Sequence, residues 1–156
     1  MNITKMTLKG YWELVKFEAV ADDGSVIYPF GKNVRGLLHY ADNEIMSAQL
    51  GDAMRPNFSN EDFRKAVPNE ILEAYNGYIS YFGKYSVNEH RKYIIHEIEM
   101  SLYPNWIGTR VKRGFDLNGD FLVLTASQLD YDGVLRTPTL TWQKMKQIDN
   151  QYRWHS

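Results

Sequence analysis

The sequence predicts an all-β domain of antiparallel strands with one short helical insertion. Three observations carry this. Apolar and polar residues alternate with period two through most of the chain, turn signals separate the alternating runs, and apolar residues recur at helical spacing in one stretch only, around residues 60–79. Many sequential antiparallel strands in one small domain form a sandwich or close into a barrel.

The elements follow in order. "KGYWELVKFEAV" (9–20) reads as the first strand, stopped by the turn "ADDG", and "SVIYPF" (25–30) as a short partner. "VRGLLHYA" and "EIMSAQL" make a hairpin across Asp42-Asn43. Ser59 with Asp62 three residues on has the form of a capping box opening a helix over "EDFRKA". Pro68 opens a second helix, with Ile71, Leu72, Tyr75 and Ile79 at helical spacing. Strands then return as "YFGKYSV", "KYIIHEIEMSLY", "GTRVKRGFDL", "DFLVLTAS" and "PTLTWQKM". No linker or repeat divides the 156 residues, so one domain is expected, with a barrel over about 8–145 and a polar tail at 146–156.

Composition narrows the function classes. Hydrophobic residues make up 44% and aromatics 14%, enough for a packed core. Eleven tyrosines suit surfaces or cavities that need an apolar body with a polar tip. A net charge of −1 without a basic run argues against nucleic acid. The lack of cysteine removes disulfides, thiol nucleophiles and thiolate metal sites, and the four histidines have no metal-ligand spacing. The first ten residues hold no signal-peptide core and no stretch could span a bilayer, so a cytoplasmic location and no membrane partner are expected. No Walker loop, GxGxxG, GxSxG or HExxH occurs, and no cofactor is expected.

Gly10-Tyr11-Trp12 near the start of the first strand has the form of the Gly-x-Trp signature of lipocalins. "YPFGKNVRGLLHYA", "MSAQL", "GYISYFGKYSV" and "SLYPNWIGTRVKRGFDLNGDFLVL" follow in order. Together, from about Leu8 to Lys144, they resemble the lipocalin-like domain family, small single-domain proteins of bacteria and fungi. The resemblance implies a calycin-type barrel of about eight to ten strands with an internal cavity. It also implies that Trp12 plugs the closed end, with a basic residue of the last strand, here Lys144, packed on it. Some members of that family occur beside natural-product biosynthetic enzymes, but the resemblance implies no particular reaction.

Strand register decides which side chains face inward. A two-residue turn at Asn118-Gly119 pairs Leu117 with Asp120, Phe115 with Leu122 and Arg113 with Leu124. The apolar face so defined includes Arg113. Folding the preceding strand back through "PNWI" pairs Tyr103 with Gly108, Met100 with Val111, Ile98 with Arg113 and His96 with Phe115. Glu99 then meets Lys112 on the outer face. By the same parity His96, Ile98, Met100, Leu102, Tyr81 and Tyr85 point inward.

An isolated buried guanidinium is costly, so Arg113 needs an acceptor: a hydroxyl, a carboxylate, water or an anionic ligand. The expected ligand-binding set is Tyr81, Tyr85, His96, Ile98, Met100, Trp106 and Arg113, with Ser47 and Gln49 of "MSAQL" added although their face is undecided. The loop Tyr103 to Trp106 is expected at the cavity rim, with the helix "PNEILEAYNGY" as a cap. Two functions fit. In one, the cavity binds a small, largely apolar molecule carrying a polar or anionic group. In the other, a cofactor-free isomerase or cyclase acts there on a polyketide-like or terpenoid-like intermediate, using His96, Arg113 and Tyr85. Oligomeric state, monomer or homodimer, is left open.

Overall fold

A computed structural model describes residues 3–146. The expected tail at 146–156 lies almost wholly outside the described residues. The elements are α1 (Ile3–Leu8), β1 (Gly10–Ala21), β2 (Val26–Ile27), β3 (Val34–Tyr40), β4 (Ile45–Asp52), α2 (Pro68–Asn76), β5 (Tyr78–Asn88), β6 (Tyr93–Ser101), β7 (Arg110–Asn118), β8 (Phe121–Thr125), β9 (Leu129–Tyr131) and β10 (Val134–Lys144). Eight strands, in the order β1-β3-β4-β5-β6-β7-β8-β10, close into an antiparallel barrel through the β1–β10 pairing, with β2 and β9 as short flanking strands. Closure leaves no long sheet edge unpaired. Among the described residues no helix is long and apolar enough to cross a membrane.

One end is sealed by α1, an element the sequence did not announce. Trp12 is completely buried, and its Nε1 donates to the Leu8 carbonyl at 2.8 Å. The Lys144 ammonium sits 4.5 Å from the Trp12 ring centroid and donates to the carbonyls of Thr7 and Lys9. Gly10 has φ +112°, and a Cβ there would meet the Lys144 Nζ at 3.3 Å. The residue before Tyr11-Trp12 is therefore a glycine for both conformational and steric reasons. Beyond this seal, Leu38, Met46, Ile94, Leu122 and Trp142 fill the lower barrel.

Two registers and one facing differ from expectation. In the β7–β8 hairpin Leu117 faces Leu122 and Phe115 faces Leu124, two residues from the expected pairing. Asn118 stays in the ladder opposite Phe121, and Gly119, with φ +59°, begins the turn. Glycine thus takes the first central position of the two-residue loop. Between β6 and β7, Arg113 faces Ile94 rather than Ile98, and His96 faces Val111 rather than Phe115. The connection is longer because Pro104–Trp106 winds into a 3-10 turn. The outer ion pair is consequently Glu97–Arg110 at 3.3 Å, not Glu99 with Lys112. Both slips are even-numbered, so Arg113 and His96 keep their inward direction.

The third difference reverses a direction. Phe82 pairs with Met100 but Gly83 with Ile98, so Glu99 is a bulge in β6. Beyond it the alternation inverts, and Met100 (54% exposed) and Leu102 point outward instead of in. Gly83 permits the close approach, since a Cβ there would lie 1.8 Å from the Glu97 carbonyl oxygen.

The helical insertion is also shorter than expected. Over "EDFRKA" only a 3-10 turn forms at Phe63–Lys65, capped by Asp62 rather than Ser59. Glu70 ties this segment to α2 by accepting from the backbone N–H groups of Ser59 and Val67. Gly77 ends α2, so Ile79 belongs to β5. The β9–β10 hairpin, turning at Asp132-Gly133, is not among the expected elements.

Candidate functional site

The end of the barrel opposite α1 holds a cavity of about 670 Å³. Phe17 from β1, Leu50 from β4, Ile79 from β5, Val111 from β7 and Leu140 from β10 supply apolar wall, and Phe30 packs edge-on against Phe17 at 5.3 Å. Tyr75 of α2, Tyr103 of the 3-10 turn and Tyr131 of β9 stand at the mouth. The loop "YPNW" therefore forms rim. Its Trp106 packs edge-on against Tyr81 at 5.5 Å and against Tyr103 at 5.9 Å. Pro104 stiffens the turn that presents the indole.

Arg113 lies on the cavity wall, half-buried, its guanidinium 5.8 Å from the Trp106 ring centroid. One of its Nη atoms donates to the Lys112 carbonyl at 3.3 Å. Among the described residues no carboxylate lies within ion-pair distance of it. The charge is instead partly solvated, faces the cavity and is shielded on one side by an aromatic ring.

Behind the wall a polar chain runs inward. The Tyr81 hydroxyl lies 3.3 Å from His96 Nδ1, and the Tyr40 hydroxyl lies 2.8 Å from His96 Nε2. His96 is wholly buried, and burial together with the Arg113 charge pushes its pKa down to about 3, so the ring is neutral. Burial raises the Tyr40 hydroxyl well above its ordinary value. It also raises Tyr81, where the Arg113 charge acts in the opposite direction.

The structure thus brings Tyr81, Trp106 and Arg113 together on the cavity wall. His96 stands one layer behind Tyr81, and Ile98 is core, 2% exposed. Tyr85 faces inward but toward the sealed end. Its hydroxyl donates to the Ala41 carbonyl at 3.0 Å, and its pKa is pushed up to about 12 by burial and then by Glu44 and Asp42. Three residues fall outside the site. Met100 is turned out by the Glu99 bulge. Ser47 and Gln49 share the outer face of β4, because Met46, Ala48 and Leu50 take the inner one. Gln49 there accepts from the Tyr78 hydroxyl at 3.1 Å. Tyr40 is not in the expected set, although its two-residue spacing from Leu38 in "GLLHY" places both on one face. Among the described residues no group of three or more metal-ligating side chains assembles.

The model of the lipocalin-like domain family matches residues 9–145. The 4'-hydroxy-3'-methoxypropiophenone carrier protein of Aspergillus oryzae (strain ATCC 42149 / RIB 40) is 35% identical over 111 residues, covering 66% of this chain and 99% of the relative. The chain belongs to the lipocalin-like domain family.

Proposed function

We propose that this member of the lipocalin-like domain family binds and carries a small, largely apolar molecule with an oxygen-bearing polar end, of the aryl-ketone class. The observation that carries the reading is the cavity itself. Aromatic and aliphatic side chains wall it, and one cation without a carboxylate partner among the described residues, Arg113, faces in beside Tyr81. Such a site gains affinity from apolar burial at roughly 25 cal/mol per Å² and orientation from a few polar groups. The fungal relative, a carrier named for an aryl ketone, supports the same ligand class. The volume falls within the range of sites for small organic molecules.

The geometry favours carriage over turnover. Both His96 nitrogens are occupied by tyrosine hydroxyls, and the ring does not reach the cavity wall. A general base must touch the proton it moves, directly or through one water. Tyr85, turned toward the sealed end, is no better placed. A cytoplasmic location belongs to this proposal. Titration with 4'-hydroxy-3'-methoxypropiophenone, followed by quenching of tryptophan fluorescence and by native mass spectrometry, tests it. The expected result is one saturable site with Kd of about micromolar or tighter. Absence of saturable binding by this ketone and by simpler aryl ketones would overturn the reading.

A further inference from the structure

The polar chain behind the cavity has a direction, and the direction selects a ligand chemistry. The Tyr40 hydroxyl is completely buried, and His96 Nε2 at 2.8 Å is its hydrogen-bond partner. A buried O–H left without an acceptor is costly, so Tyr40 donates to Nε2. A neutral imidazole carries one N–H, which then resides on Nδ1 and donates to the Tyr81 oxygen. The Arg113 charge acts on Tyr81 from the cavity wall that both side chains line. With the His96 Nδ1–H occupying the oxygen from behind, the Tyr81 proton has no acceptor there among the described residues and points into the cavity that Tyr81 lines.

We propose that Tyr81 and Arg113 form an oxyanion site, with Tyr81 fixed as a donor by the Tyr40–His96 relay behind it. The inference rests on the binding reading above and adds the ionisation state of the ligand. Two donors converge on the polar end, and the charged residues bordering the cavity among the described residues, Arg110, Lys112 and Arg113, are all cationic, with Arg113 the one that faces inward. No carboxylate lines the wall among the described residues. Arg110 is paired with Glu97 and Lys112 lies over the Tyr93 ring, which leaves Arg113 as the cation facing Tyr81. Such a site takes an acceptor oxygen on a planar apolar body, and holds an ionisable phenol or enol as its anion. Tyr81 and Arg113 touch the ligand; His96 and Tyr40 are positioning residues.

The test uses 4-nitrophenol, whose anion is coloured, and 4-nitroanisole, its non-ionisable methyl ether. Wild-type protein should bind the phenolate at least about tenfold more tightly than the phenol, lowering the probe's apparent pKa by about one unit or more. Arg113→Met should abolish most of that preference, and Tyr81→Phe should reduce it by roughly tenfold, with 4-nitroanisole affinity preserved. Tyr40→Phe never touches the probe, yet frees the His96 tautomer and should cut the preference several-fold. Nitrogen-15 spectra of His96 in the wild-type protein should show the proton on Nδ1, a result independent of any variant's folding. An Nε2–H tautomer would overturn the proposal. Equal binding of phenol and phenolate, or a preference that survives both Tyr81→Phe and Tyr40→Phe, would also overturn it while leaving the carrier reading intact. Binding of neither probe would remove both.

Discussion

The Arg113 guanidinium stands over the Trp106 indole at 5.8 Å, joining a strand of the barrel wall to the aromatic loop that rims its mouth. The contact places a cation at a cavity that, among the described residues, offers it no carboxylate counter-ion, which is why its loss should be felt by the ligand rather than by the fold. Arg113→Met keeps an apolar stem against Trp106 and removes a half-buried charge. Aryl-ketone affinity should fall about ten- to hundredfold by calorimetry, with the melting temperature within a few degrees of wild type. A large loss of stability with unchanged affinity would make Arg113 structural.

His96 makes folding stability depend on pH. Its folded pKa, about 3, lies below the unfolded value near 6.5, so the unfolded chain binds the extra proton between these limits. The His96 contribution is complete above pH 6.5 and declines as pH falls toward 3. Urea unfolding at pH 5 should give about 2 kcal/mol less stability than at pH 7 from this group. His96→Gln should flatten that slope while being less stable at pH 7. An unchanged slope in the variant would rule His96 out as its source.

Gly83 holds the bulge that turns Met100 outward. A methyl group there would collide with the Glu97 carbonyl, so Gly83→Ala should cost about 3 kcal/mol or more, measured by denaturant unfolding. A near-neutral substitution would mean that the bulge relaxes at little cost.

Lys144 clasps the sealed end through Trp12 and two carbonyls. Lys144→Leu should lower stability by about 1–3 kcal/mol and raise hydrogen exchange in α1. Ligand affinity at the opposite end should not change.

Ser47, Gln49 and Met100 lie on the outer face, so alanine at each should leave ligand affinity within about twofold and stability within about 0.5 kcal/mol. A tenfold affinity loss at any of them would place the ligand somewhere other than the barrel interior.

The sequence by itself determined the barrel, the burial of Trp12 at one end and the inward direction of Arg113, His96, Tyr81 and Tyr85. Alternation with period two sets a side chain's face by parity alone, and the two hairpin slips were even, so the faces survived wrong partners. Only the tertiary structure decided where along the barrel those side chains sit. A 3-10 turn lengthened the Tyr103–Trp106 loop, and a bulge that Gly83 accommodates against Glu97 inverted parity for Met100. It also decided that Tyr85 faces the sealed end, that Ser47 and Gln49 face out, and that Tyr40 completes the chain through His96 to Tyr81. Those outcomes depend on contacts between strands distant in sequence, such as Tyr40 and His96, 56 residues apart. Local periodicity carries the direction of a side chain but not the depth at which the closed barrel places it.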